Sequence, residues 1–183
     1  MLETYLIEHC SPTLAGLKTA NLFNYTTSDN LDLEKQLDIE REQLSAKGLS
    51  IVILRRRSHS ALVYVFRPQR LEADLKKPGV VSFLQAYGYK DLSIAGALQT
   101  LCTRINDTDS FPHEIGVFLG YPLGDVFGYI QNKGRNFRCC GFWKVYQNEA
   151  ETEALFKRFK KCTAIYRQMY NRGRSIRQLT VAA

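Results

Sequence analysis

The chain contains 183 residues, of which 45% are hydrophobic and 23% are charged. These proportions are typical of a globular protein and exclude disordered, collagen-like and coiled-coil chains. No apolar run approaches the roughly 20 residues that cross a bilayer, and the acids Glu3 and Glu8 argue against a signal peptide. We therefore predict one cytoplasmic globular domain over residues 1–183, without membrane contact.

The formal net charge of +7 is unevenly distributed along the chain. Residues 1–50 hold four Lys or Arg and eight Asp or Glu, whereas residues 132–183 hold twelve Lys or Arg and three Glu. A basic end of this kind attracts nucleic acid, phosphate or acidic partners. A solvated helix face is the alternative interpretation of the same charges.

The first elements alternate between helix and strand. The sequence predicts a short helix over 2–10 that ends at Ser11-Pro12, and a strand over 20–26. A second helix is predicted over 30–47, with Asp29 as its N-cap.

Two continuous apolar runs follow, Leu49–Leu54 and Ala61–Phe66. Both are short and rich in β-branched residues, which is typical of buried strands. The connection over 55–60 is too short for a crossover, so the pattern predicts an antiparallel hairpin in the sheet interior.

Helices dominate the next stretch. Pro68 and Pro78 bracket a polar helical segment, a second helix covers 79–87, and a third begins after Asp91 with an apolar stripe.

The remaining pattern predicts a strand-helix-strand unit and a long final helix. The strands are expected over 114–119 and 137–146, with a helix that starts at Pro122 between them. The final helix starts after Asn148, and its inward stripe is predicted at Leu155, Phe159, Cys162, either Ile165 or Tyr166, and Met169. The fold class is therefore α+β, with one mixed sheet (the hairpin plus the strand-helix-strand unit) packed with several helices and a long C-terminal helix.

Three blocks of sequence resemble an uncharacterised bacterial family. They are residues 111–126 (FPHEIGVFLGYPLGDV), 141–146 (GFWKVY) and 10–18 (CSPTLAGLK). The family they resemble is a domain of unknown function found mainly in clostridia and related anaerobes. The resemblance implies no activity, cofactor or catalytic residue.

His113 and Glu114 are the first candidate site residues. A His beside a carboxylate is typical of general bases and metal ligands, but neighbours on a strand point to opposite faces. Tyr121 is the second candidate, since it lies in a turn between a predicted strand and a helix, where ligands often bind. The glycine spacing of a P-loop or Rossmann motif is absent, so the sequence names no cofactor.

The five cysteines are predicted to be free thiols. Their odd number and irregular spacing do not fit a disulfide framework, and no C-x-x-C pair is present. Cys139 and Cys140 are neighbours, which suits neither a shared metal nor a relaxed disulfide.

Exposed cations of the C-terminal third complete the candidate site. Basic and aromatic residues together are typical of surfaces that bind phosphates or single strands, although no nucleic-acid motif is present. The predicted ligand-binding residues are His113, Glu114, Tyr121, Arg135, Arg138, Lys157, Lys160 and Lys161.

Four functions compete at this point. The favoured one is a binding or regulatory module that holds an anionic ligand or acidic partner through the basic C-terminal third. The alternatives are an iron- or haem-related protein that uses His113, His9 or a cysteine, a small-molecule enzyme that uses His113 and Glu114, and a purely structural interaction protein.

Overall fold

The computed structural model describes residues 1–26, 30–107 and 111–183. The chain divides into two compact units, of which unit 1 comprises Met1–Leu71 and Lys161–Ala183, and unit 2 comprises Glu72–Lys160. The predicted N-cap Asp29 lies outside the described residues. The expectation of one domain over 1–183 stays a prediction.

Unit 1 is built on a three-stranded antiparallel sheet. Its strands are β1 (Ala20–Thr26), β2 (Ser50–Arg57) and β3 (Ser60–Phe66), and β3 lies in the centre. Both the predicted hairpin and the predicted first strand are confirmed. The strand β2 is nevertheless an edge strand, and its register shifts by a bulge between Ile53 and Arg55.

Helices cover this sheet and supply the rest of the core of unit 1. They are α1 (Leu2–Leu14), α2 (Asn30–Ser45), the beginning of α3 (Pro68–Leu75), the later part of α8 (Glu149–Asn171) and α9 (Ile176–Leu179). Buried side chains of α1, α2, α8 and α9 join those of the strands in one apolar cluster, which includes Leu6, Leu37, Val63 and Cys162. Burial of this apolar surface is the main force that stabilises the unit.

The end predicted for the first helix was wrong. Helix α1 continues through Ser11 and Pro12 to Leu14. Proline removes one helical hydrogen bond, and here the backbone N–H of Ala15 still donates to the carbonyl of Ser11 at 2.8 Å. The loss of one bond in the last turn is too small to end a helix that is buried along most of its final turns.

Unit 2 is mainly helical. It contains the end of α3, α4 (Val80–Ala86), α5 (Ile94–Asp107), α6 (Ile115–Phe118), α7 (Leu123–Gln131), the short strands β4 (Cys139–Cys140) and β5 (Lys144–Val145), and the beginning of α8. Its fully buried side chains include Leu84, Tyr89, Leu101, Phe118 and Val126.

The strand predicted over 114–119 is a single turn of helix, α6. The backbone N–H of Val117 donates to the carbonyl of Glu114, and that of Leu119 to Ile115, both at 3.0 Å. A short segment that is buried all round has no polar face, so periodicity does not separate a strand from a helix. The predicted strand-helix-strand unit is therefore absent from the described residues.

The strand predicted over 137–146 is also interrupted. Only β4 and β5 pair, in antiparallel orientation, and residues 141–143 form the bend between them. Helix α7 begins one residue later than predicted, with Pro122 as its N-cap. The α+β class and the long C-terminal helix are confirmed.

The buried stripe of α8 is displaced by one residue at its start. Phe156 is 6% exposed, whereas the predicted Leu155 is 37% exposed. Phe159, Cys162 and Tyr166 are buried, as the spacing indicated. Because each helical residue turns the side chain by about 100°, an error of one position moves a stripe to the edge of the core.

Within the described ranges, no helix is both long and apolar enough to cross a bilayer.

Candidate functional site

Two of the sequence blocks that carry the family resemblance meet in unit 2. Asp125, only 2% exposed, accepts hydrogen bonds through Oδ1 from the backbone N–H groups of Tyr146 at 2.8 Å and Gln147 at 3.0 Å. Tyr121 Oη donates to the carbonyl of Phe142 at 3.2 Å. The segment 111–126 therefore holds the segment 141–147 through its side chains.

Glycines in α6 and α7 make this contact possible. A Cβ atom at Gly116 would lie 2.8 Å from the Trp143 ring, and one at Gly128 would lie 2.5 Å from the Tyr146 ring. Real Cβ contacts are not that short, so a side chain at either position would displace an aromatic ring.

The meeting of the two blocks produces a chain of aromatic rings. Tyr121 stacks on Trp143 at 4.8 Å between centroids, Trp143 lies 5.5 Å from Tyr129, and Tyr129 lies 4.9 Å from His113. Lys144 places its Nζ 5.7 Å from the Tyr129 centroid, in the range of a cation–π contact. His113 and Tyr121, both predicted site residues, thus lie in one cluster.

Two polar atoms in this cluster have no hydrogen-bond partner among the described residues. They are Trp143 Nε1 and Tyr146 Oη, and both atoms are buried. Burial raises the pKa of the Tyr146 and Tyr121 hydroxyls, so both stay protonated near neutral pH. Buried groups of this kind commonly bind ordered water.

Glu114 does not join that cluster. Its side chain is 1% exposed and forms an ion pair with Arg104, and Tyr89 Oη donates to Glu114 Oε1 at 3.1 Å. Burial and the neighbouring Glu114 carboxylate raise the pKa of Tyr89. His113, in contrast, is exposed beside Tyr129. The two residues therefore have separate partners, and Glu114 takes part in a buried ion pair inside unit 2.

The five predicted basic residues are all exposed. They are Arg135, Arg138, Lys157, Lys160 and Lys161. Within the described part of the chain, no carboxylate lies within 4.0 Å of any of them. The three lysines lie at i, i+3 and i+4 of α8, which places them on one side of that helix. We call these three residues the α8 basic face.

All five cysteines are free thiols in the structure. Cys10 and Cys162 are buried, and burial raises the pKa of both, that of Cys162 to about 11. Cys139 lies near Glu149 and Glu153, and the ligand atoms of these three residues all fall within 4.8 Å of one another. Burial, followed by the two carboxylates, raises the pKa of the Cys139 thiol.

Sequence reasoning missed two arginines that are involved in buried charge. Arg104 neutralises Glu114 in unit 2, and Arg67, which is 4% exposed, lies between β3 and α3 in unit 1. The signal for Arg67 was its position, because it directly follows a fully apolar strand and precedes Pro68. A cation is rarely enclosed unless it has partners.

The fold and these clusters define an α+β protein in which the segments 111–126 and 141–147 pack on each other. The chain belongs to the family described as "Protein of unknown function (DUF3793)", whose model matches residues 6–180. Neither a curated protein nor a solved structure matches the chain.

Proposed function

We propose that this protein is a binding module for an anionic partner, and that the α8 basic face is its contact surface. The observation that carries the proposal is the exposure of Lys157, Lys160 and Lys161 without a carboxylate partner in the described chain. Exposed cations that share one helix face attract polyanions through the sum of their charges.

The acids of the same helix support this interpretation. Glu153 and Lys157 have the i, i+4 spacing that favours an ion pair, but no such pair forms. Glu153 instead lies beside Cys139 and Glu149. The lysine is therefore not neutralised by its nearest helical acid, and its charge stays available to a partner.

Two buried phenylalanines next to the basic face anchor α8. Phe156 and Phe159 are buried, and their rings contact each other at 6.4 Å and the Phe142 ring at 5.5 and 5.6 Å. Replacement of the lysines should therefore change the surface charge without a change in the packed side of the helix.

A fluorescence-anisotropy titration with a labelled single-stranded oligonucleotide tests the proposal, with a poly-glutamate peptide as the second polyanion. The triple variant Lys157→Gln, Lys160→Gln, Lys161→Gln should bind the stronger of the two at least about 10-fold more weakly at low salt. Its dependence on salt should also be shallower, since each phosphate contact contributes a slope of about 0.7 to 0.9 in log affinity against log salt.

The matched control is Lys76→Gln, Lys90→Gln, Lys133→Gln, which removes the same net charge from exposed positions of unit 2. A loss of affinity in the first variant alone supports the α8 basic face. Equal losses in both variants, or no binding of either polyanion by the wild type, would reject it.

We propose metal binding as a second candidate function, which the group formed by Cys139, Glu149 and Glu153 favours. One thiolate and two carboxylates provide a −3 set of the kind that transition-metal ions accept. Of the residues that the sequence suggested for an iron-related role (His113, His9 or a cysteine), this set contains a cysteine and neither histidine.

Titration with Co²⁺ under anaerobic conditions tests this candidate, because a thiolate ligand to Co²⁺ adds a charge-transfer band in the near ultraviolet. The band should be lost in Cys139→Ser and kept in Cys140→Ser, whose thiol is exposed and adjacent in sequence. A band of equal intensity in both variants, or none in the wild type, would exclude the site.

A further inference from the structure

A cavity of about 290 Å³ opens in unit 1 where β3 ends and α3 begins. It is lined by the residue between these elements, the first turn of α3, two loop glycines and the last residues of the sequence. These residues are Ala15, Gly16, Gly48, Arg67, Gln69, Arg70, Val181, Ala182 and Ala183. We call this cavity the Arg67 pocket.

Arg67 forms one wall of the pocket with a guanidinium held by backbone carbonyls alone. Its Nε donates to Thr13 at 2.8 Å, and its Nη2 donates to Leu14 at 2.9 Å and to Val181 at 2.7 Å. The third nitrogen, Nη1, has no hydrogen-bond partner among the described residues. The guanidinium is thus held in place by its Nε and Nη2 atoms, while Nη1 stays available to a ligand.

The charge of Arg67 has no counter-ion in the described chain. No carboxylate lies within 4.0 Å of Arg67 or of Arg70, which lines the same pocket. Burial, and then repulsion from Arg70, lowers the pKa of Arg67. A buried cation without an anion is uncommon, because the loss of hydration is normally offset by a paired charge.

The first turn of α3 adds donors to the same wall. Helix α3 starts at Pro68, and the next two residues, Gln69 and Arg70, line the pocket. N–H groups of a first helical turn have no acceptor within the helix and carry the positive end of its dipole. Gly16, at φ +72°, also lines the pocket, and a Cβ there would lie 3.7 Å from Arg67 Cζ.

We propose that the Arg67 pocket binds a phosphoryl group, either free phosphate or the phosphate of a small metabolite. Two guanidiniums and the helix start offer more donors than a carboxylate can accept, whereas a phosphate has three or more oxygens. A volume of about 290 Å³ holds a phosphate with a small organic group attached. This site is separate from the α8 basic face and does not depend on it.

Isothermal titration calorimetry with inorganic phosphate, and with glycerol 3-phosphate, tests the proposal on the full chain. The wild type should bind at least one of them, and Arg70→Gln should weaken the binding at least about 10-fold. Arg70 is exposed and takes no part in the bonds of Arg67 to the carbonyls, so this variant should keep the fold.

Two further variants separate the pocket from a general charge effect. Ala182→Leu fills the pocket without a change in charge and should also weaken binding, whereas Arg57→Gln should not. Arg57 is exposed and pairs with Ser60, at the start of β3, whereas the pocket lies beyond Phe66, at the end of that strand.

Tighter binding of glycerol 3-phosphate would identify a phosphorylated metabolite as the ligand class, and equal or tighter binding of inorganic phosphate would identify free phosphate. The proposal is overturned if neither probe binds at a concentration 20-fold above a Kd of about 1 mM. It is equally overturned if Arg70→Gln and Ala182→Leu bind like the wild type, or if Arg57→Gln loses as much affinity as Arg70→Gln.

Discussion

Both units of this protein enclose charged side chains, and two of these, one from each unit, are compensated in different ways. Glu114 in unit 2 is 1% exposed and has an ion-pair partner, Arg104, and a hydrogen-bond donor, Tyr89. Arg67 in unit 1 is 4% exposed, and among the described residues its guanidinium donates only to the carbonyls of Thr13, Leu14 and Val181.

The contrast shows when a buried charge is closed to ligands. The positive charge of Arg104 neutralises Glu114 within unit 2, so this carboxylate does not require a cation from a ligand. Carbonyl dipoles accept from Nε and Nη2 of Arg67 but do not cancel its net charge. The second arrangement leaves a positive potential at a cavity, which is why we assign the ligand site to Arg67.

The largest expected effect comes from removal of the counter-ion in unit 2. Arg104→Met leaves Glu114 buried without its partner and should lower the free energy of unfolding by about 3–5 kcal/mol. Urea denaturation followed by circular dichroism measures the change. The double variant with Glu114→Met should recover most of it, since an apolar pair removes the uncompensated charge; a double variant as unstable as the single one would contradict this explanation.

A smaller effect is expected at the uncompensated cation. Arg67→Met leaves three carbonyls without their donor and should lower the free energy of unfolding by about 2–3 kcal/mol. The loss should be smaller than for fully buried carbonyls, because water from the adjoining pocket can bond to them. The same urea experiment measures it, with Arg57→Gln as the control. If Arg67→Met proves as costly as Arg104→Met, the pocket does not hydrate these carbonyls.

Another buried ionisable side chain, Glu40, extends the comparison through its pH dependence. Glu40 in α2 is 4% exposed, its Oε2 atom has no partner among the described residues, and burial together with Glu3 raises its pKa to about 7. Because this pKa is raised above the ordinary 4.5, the stability contribution is complete at pH 4 and is lost as the pH rises through 7.

Glu40→Gln removes this titration. The variant should be more stable than the wild type by on the order of 2 kcal/mol at pH 8, and the difference should vanish near pH 4. Thermal unfolding at several pH values measures the difference. A gain that stays constant from pH 4 to pH 8 would show that the carboxyl is not the group that titrates.

The smallest effect on stability is expected at the α8 basic face. Lys157→Gln, Lys160→Gln and Lys161→Gln are exposed changes without broken ion pairs, so each should alter the free energy of unfolding by less than about 0.5 kcal/mol. Chemical denaturation of the triple variant checks this. If the free energy of unfolding of the triple variant falls by more than about 2 kcal/mol, these lysines stabilise the fold and are not available to bind a partner.

The amino-acid sequence by itself determined the elements whose pattern depends on local spacing. The apolar runs at 49–54 and 61–66 predicted the hairpin, and the period of α8 predicted Phe159 and Cys162 as buried. The hairpin was predictable because two apolar runs of strand length are separated by a connection too short for a crossover. The stripe of α8 was predictable because one face of that helix meets water and the other meets the core.

Only the tertiary structure decided the elements that are buried all round and the partners of buried charges. The segment 115–118 is helical because its backbone N–H groups donate to carbonyls a few residues earlier in the chain, and no strand of the described residues pairs with it. The residues 137–146 bend because the Trp143 and Tyr146 rings pack over Gly116 and Gly128. In the same way, the carbonyls that hold Arg67 come from positions 53, 54 and 114 residues away in sequence, and such pairings leave no local pattern, because folding and not spacing brings them together.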